Sequence, residues 1–332
     1  MAKRKGIHPL VGAATLVPLA IGLFTPKTAP QARRAGHVKH FAAAPVGSAC
    51  TLPFDAIKQE HEIDSSCDAA GSSTSDAQAA QNEAKNNFCA TSTPVNLNFD
   101  NFTQLQQAAE NAGVSFGSDS HLPDDRTHLQ NILQVPNQGR VGEGSVVRLA
   151  AFVMNAHYSN VSNGETVNCK FTGIENNDIH IVLGQNTDGN NPVSLGQKPT
   201  PAQECESVTA EISPHFRPDV WTPDSLNKNN AHLFRFTGQL FFDAAHRPCV
   251  AGKGAGPRRR AIWEVHPTYA IDICIDPRNN CTADNDENWV ALSDFVGTGP
   301  PSNETRLRMP DEISGTGPGV ASLQSRSPGS AP

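Results

Sequence analysis

Two imidazoles and three carboxylates recur at alternating positions in three short stretches: Asp178 and His180 in DIHIVLG, Glu211 in ESVTAEIS, and Glu264 and His266 in AIWEVHP. In an extended strand, successive side chains point to opposite faces. Ile179, Ile181 and Leu183 then share one face, as do Val208, Ala210 and Ile212, and again Trp263 and Val265. The apolar faces belong inside, so the acids, the imidazoles and Thr209 face outward. Imidazole nitrogen with carboxylate oxygen is a donor set that Zn²⁺ and Mn²⁺ accept, and a carboxylate beside it can act as a general base. This reading makes His180, Glu211 and His266 the metal ligands and Asp178 and Glu264 the catalytic carboxylates. No HExxH run accompanies them. The alternative is a structural hydrogen-bonding network, covered by helices from the N-terminal part of the chain.

A second group sits in a Gly- and Pro-containing stretch: Asp243, His246, Cys249, Arg258, Arg259 and Arg260. Guanidinium forks bind phosphate, sulfate or carboxylate in bidentate fashion. His246 and the three arginines are therefore the expected contacts for a small or anionic ligand; the alternative is a solvated basic loop. Phe241, Tyr269, Tyr158 and Trp221 are the aromatics left over from the apolar phase. With 6% aromatic residues, a broad stacking groove for bases or sugars is hard to assemble. There is no GxSxG elbow and no GxxxxGK[ST] phosphate loop, and GKGAGP at 252–257 lacks the required order.

The elements that must hold these residues are strands. Runs at 146–157, 165–172, 178–184, 206–213, 233–243 and 261–275 carry the β signal, with a short helix within 218–229. Taking the first two runs as one long bent strand gives strand, strand, strand, helix, strand, strand, the order of an OB-fold. In the usual OB arrangement strands two, three and five are neighbours, which brings the five polar residues into one outer patch. The expected fold is mainly β: an OB-like five-stranded Greek-key barrel at 141–276, preceded by a small helical subdomain at 50–140. Helices are predicted at 76–88, capped by Ser75 or Asp76, at 102–111 before Gly113, and at 125–133 before Pro136.

Of 332 residues, 37% are hydrophobic and 18% charged, as in a soluble globular protein, and 26 Gly with 25 Pro favour a turn-rich β protein over a helical bundle. The N-terminus reads as a signal peptide over 1–24: basic residues, then an apolar stretch at 10–24. That stretch is shorter than the ~20 residues a spanning helix needs, and Pro18 interrupts it, so no permanent membrane span is expected after cleavage. Residues 25–49 read as a disordered linker and 277–332 as a loop-rich to disordered tail. Seven lysines and arginines and no acid fall within residues 1–40, which leaves a markedly acidic body under the net charge of −7. General nucleic-acid binding is not expected of such a body. The eight cysteines contain no Cys-x-x-Cys pair, and after an export signal they read as disulfides. About a hundred pairings are possible, with Cys67 to Cys89 and Cys169 to Cys205 as local candidates.

The stretches QNEAKNNFC, VNCKFTGIENNDIHIVLG, TGQLFFDAAH and IWEVHP resemble an uncharacterised family of secreted bacterial proteins with a short helical region ahead of an OB-like barrel. The resemblance covers roughly residues 63–275. It supports the domain order alone and implies no activity. The expectation is an exported binding or interaction module in the cell envelope, the periplasm or outside the cell, its ligand unknown; the alternative is a metal-dependent hydrolase with Zn or Mn in the outer patch.

Overall fold

The computed structural model describes residues 62–185, 197–249 and 256–296. The signal and linker expected at 1–49, and the expected tail from 297 onward, lie outside these residues.

Helix α1 (Asp76–Lys85) starts where Ser75, in extended conformation, accepts a hydrogen bond from the Gln78 amide at 3.2 Å. It stops short of residue 88. Asn86 leaves helical geometry, its side chain donates to the Ala69 carbonyl at 3.1 Å, and Phe88 turns into the core. A short strand, β1 (Val95–Leu97), leads into α2 (Phe99–Asn111) through a reciprocal cap in which Asn98 and Asn101 each bond the other's amide. On α2, Phe99, Phe102, Leu105 and Ala109 recur every three or four residues and are buried. The third predicted helix is not one. Its residues form a single 3₁₀ turn, Thr127–Leu129, followed by a hairpin of β2 (Leu133–Val135) and β3 (Gly139–Val141). Pro136 breaks the helical pattern, and Asn137 and Gly139 take the positive φ that reverses the chain.

Strand β4 (Val146–Tyr158) is long enough to serve three neighbours, the first being β1, which runs parallel to it at Val147–Leu149. The first half of β4 pairs with β7 (Phe234–Phe242) and its second half, from Phe152 onward and with a register shift between Val153 and Asn155, pairs with β5 (Ile179–Gly184). Residues 165–172, expected as an extension of this first strand, instead form turns. Cys169 and Lys170 have φ of 53° and 63°, and the Lys170 amide bonds back to the Glu165 carbonyl at 2.8 Å.

Beyond β5 come α3 (Pro201–Cys205), β6 (Val208–Ile212), α4 (Pro223–Lys228), β7 (Phe234–Phe242) and β8 (Trp263–Cys274). The pairing runs β4-β5-β6-β8-β7 and returns to β4, closing a five-stranded barrel in which β6 and β8 are parallel and the other neighbours antiparallel. That is the strand order of an OB-like Greek-key barrel, with α4 between its third and fourth strands. Strand β7 kinks at Gly238, where a Cβ would lie 2.5 Å from the Pro267 carbonyl oxygen. Only glycine fits that approach. Past the kink, Leu240 and Phe242 stay in the core while Phe241 points out of it.

One hydrophobic core fills the barrel and extends under the N-terminal elements. Ile181, Ala210, Phe236, Trp263 and Val265 share it with Phe102 and Leu105, so the helical region has no separate core of its own. The ordered body also continues past 276. Strand β9 (Trp289–Ala291) pairs with the end of β8, and α5 (Leu292–Val296) buries Leu292 completely.

The cysteine pairs are Cys67–Cys169, Cys205–Cys249 and Cys274–Cys281, and Cys89 is also disulfide-bonded. Neither local candidate pairing forms. Residues 160–177 fold back over the segment after Cys67, with the Ser72 amide bonded to the Thr166 carbonyl at 2.8 Å, and this carries Cys169 to a cysteine distant in sequence. Among the described residues no helix is long and apolar enough to cross a membrane.

Candidate functional site

Register alone assembles the patch. His180 stands opposite Glu211 across β5 and β6, and Ala210 opposite Val265 across β6 and β8, so His266 comes beside Glu211. The side chains meet accordingly: His180 Nε2 lies 3.2 Å from Glu211 Oε1 and His266 Nδ1 lies 2.7 Å from Glu211 Oε2. Glu264 Oε2 is 3.7 Å from His266 Nδ1. Asp178, one residue before β5, accepts from Asn168 Nδ2 at 3.0 Å through Oδ1 and places Oδ2 3.8 Å from His266 Nε2.

The outer face of these strands is not an open surface. Asp178, Glu211, Glu264 and His266 are each 2% exposed or less. Helix α1 supplies Lys85, whose Nζ is 3.7 Å from Glu211 Oε2, and Gln81, whose amide nitrogen is 3.4 Å from Asp243 Oδ1. Phe241 packs its ring against His266 and lies under Lys85 and Arg126. The turn-rich segment 159–177 closes the other side with Glu165, whose Oε1 is 3.6 Å from His180 Nε2. At this edge the layer approaches solvent: the side chains of His180 and Glu165 remain 18% and 10% exposed, and the His157 ring stands beside His180.

Burial and charge act against each other here. Burial alone pushes carboxylates up, yet His180, Lys85 and His266 hold Glu211 well below the usual carboxylate range, and His180 and Lys85 do the same for Glu165. Burial pulls His180 down, but Glu211 and Glu165 outweigh it and raise it to about 9. Lys85 likewise stays protonated, because Glu211, Glu165, Asp243 and Asp178 overcome its burial. Asp178 goes the other way. Its burial, with the charges of Glu165 and Glu211, raises it to about 6 despite His266.

The layer continues along β7 and β8. Arg259, fully buried, bonds Glu264 with one terminal nitrogen and Asp243 with the other at 2.6 Å. Asp243 is also bonded by His246 Nδ1. Farther on, Arg126 bonds Glu143, the Gln81 side-chain oxygen at 3.2 Å and the Phe242 carbonyl. Arg258, Arg259 and Arg260 therefore do not converge on a common ligand. Arg258 bonds Glu204 at 3.2 Å, while Arg260 bonds Glu206 at 2.7 Å and lies over the Phe99 ring. The Cys205–Cys249 bridge ties this connection to α3, and the three side chains leave it in different directions. Of the aromatics considered for stacking, Phe241, Tyr269 and Trp221 are buried, and Tyr158 is half-buried beneath Arg217.

Lys85, Glu165, Gln81 and Arg126 complete the layer and were not selected by strand alternation, since none lies on a barrel strand. Asp243 gives the layer a pH signature. Burial raises it, but the His246 hydrogen bond and charge, with Arg259 and Lys85, depress it far below its ordinary 3.8. A carboxylate depressed in the folded state contributes stability that is present above the unfolded value and lost as pH falls below it. The thermal midpoint of the wild type is expected to drop on acidification below about pH 4. Asp243→Asn is expected to be less stable near neutrality and to show a shallower decline between about pH 4 and 2, followed by circular dichroism.

No family model, curated protein or solved structure matches the chain.

Proposed function

We propose that the chain is an exported OB-like binding or interaction module, and that its outer barrel face does not hydrolyse a substrate. One observation carries the second part of this reading: the face on which OB barrels usually take ligands is occupied by the chain's own α1, with the polar groups beneath it sealed from solvent. A general base must come within hydrogen-bond reach of the proton it removes. Asp178 and Glu264, the carboxylates in that role on a hydrolase reading, are 1% and 0% exposed, and Glu264 is held by Arg259. On this reading, the rim where Glu165 and His180 approach the surface is the part of this layer open to a ligand. The basic, then apolar N-terminus and the disulfides fit an oxidising compartment outside the cytoplasm.

The test uses protein purified from the periplasm or medium, assayed with nitrophenyl phosphodiester, phosphomonoester and carboxyl ester substrates in the presence of Zn²⁺ or Mn²⁺. The expected result is no turnover above that of Glu211→Gln and Glu264→Gln. Turnover that disappears in those two variants overturns the reading in favour of the hydrolase. Mass spectrometry of the same sample is expected to find the mature chain beginning beyond the apolar stretch, and recovery only of full-length chain in the cytoplasm overturns export.

A further inference from the structure

Among the described residues, two trios of carboxylate and imidazole groups have donor atoms that all lie within 4.8 Å of one another: Glu165, Asp178 and His180, and Asp178, Glu211 and His266. They share Asp178 and differ in what already neutralises them. In the inner trio, Glu211 Oε2 has Lys85 Nζ at 3.7 Å and His266 Nδ1 at 2.7 Å, and all three side chains are sealed. Lysine stands there as the cation. In the outer trio, no Lys or Arg among the described residues comes within ion-pairing distance of Glu165 or Asp178, whose close charged partners are His180 and His266.

The outer trio also holds buried oxygens without hydrogen bonds. Asn168 satisfies Asp178 Oδ1 and Asn160 satisfies Glu165 Oε1, at 3.0 and 2.9 Å, whereas Asp178 Oδ2 and Glu165 Oε2 are buried and bonded to nothing among the described residues. Leaving a carboxylate oxygen buried and unmatched is costly, and a bound cation relieves that cost directly. We propose that Glu165, Asp178 and His180 hold a divalent ion of the zinc or manganese class at the rim of the barrel. One imidazole nitrogen and two carboxylate oxygens suit these ions, and the partly exposed edge at His180 is the entry path. The ligand set differs from the His180, Glu211 and His266 read from strand alternation. Glu211 and His266 belong to the inner trio, and Glu165 comes from a turn that alternation does not reach. The proposal goes beyond the binding-module reading, resting on it only in taking the rim as the accessible edge.

The full chain, purified from the periplasm and stripped with EDTA, is titrated with Zn²⁺ and Mn²⁺ by calorimetry and with Co²⁺ by visible absorption. A single equivalent is expected to bind, with the cobalt spectrum reporting mixed nitrogen and oxygen ligation. Glu165→Gln and Asp178→Asn are each expected to weaken binding at least about tenfold, and His266→Gln, which reaches the ion only through Asp178, to weaken it less than either. Glu165 lies at the rim, so Glu165→Gln keeps the test sound if Asp178→Asn fails to fold. Absence of stoichiometric binding by the wild type overturns the proposal. So does binding that survives Glu165→Gln but is lost in His266→Gln, which assigns the ion to the inner trio. Metal bound without turnover supports this proposal and the binding-module reading together; a metal-free, inactive protein removes this proposal alone.

Discussion

Replacing Arg259 with leucine is expected to lower stability by about 3 to 5 kcal/mol, read from the urea midpoint near neutral pH. Arg259 is fully buried, and its two terminal nitrogens join Glu264 on β8 to Asp243 at the end of β7. Leucine fills much of the volume and removes the arginine that, among the described residues, touches both acids. Two carboxylates are then buried without that cation, and breaking a buried pair from one side leaves an uncompensated charge, the expensive way to lose it. Adding Glu264→Leu to Arg259→Leu is expected to recover part of the loss, because one of the stranded charges goes with it and the two substitutions cannot be additive. The measurement bears on function as well as stability. A loss below about 1 kcal/mol is the behaviour of a solvent-screened surface pair, and it means that water reaches the layer and that the face is not closed by α1.

The barrel was legible because its code is local. Alternation in 178–184, 206–213 and 261–275 puts apolar side chains on one face, and the closed order follows from counting strands around one intervening helix. The same alternation identified His180, Glu211, Glu264 and His266 as one surface, since register depends on sequence spacing. Outward orientation, however, does not mean exposure. Helix α1 carries Gln81, Asn82 and Lys85 where a buried helix face ordinarily carries apolar residues, so nothing in its composition marks it as a cover. Its polar face is buried because it lies against a charged sheet face, and a search for apolar periodicity cannot find that complementarity. Glu165 was missed for a related reason. Its position comes from positive-φ turns and from a disulfide to a cysteine far away in sequence, neither of which leaves a periodic trace. The arginine triplet misled in the opposite sense: adjacent guanidinium groups look like one basic patch, but Glu204, Glu264 with Asp243, and Glu206 draw them apart.

Removing the Cys67–Cys169 bridge by the double change Cys67→Ser and Cys169→Ser is expected to cost roughly 4 to 5 kcal/mol on the chain-entropy relation, since the bridge spans 102 residues. The corresponding change at Cys274–Cys281, which spans 7, is expected to cost about 2 kcal/mol on the same relation. Thermal melts of the two variants beside the wild type check the order. A second consequence is local. The bridge holds the segment carrying Glu165 against the stretch after Cys67, where the Ser72 amide bonds the Thr166 carbonyl and Gly71, at φ +59°, lets the backbones approach so closely that a Cβ would lie 2.2 Å from the Thr166 oxygen. Loss of the long bridge should therefore also weaken Zn²⁺ at the rim, whereas loss of the short one should not. If instead the short bridge proves the more stabilising, native contacts around Cys274 and Cys281 outweigh the restriction of the unfolded chain, and the folded-back segment is held by its hydrogen bonds more than by its covalent tie.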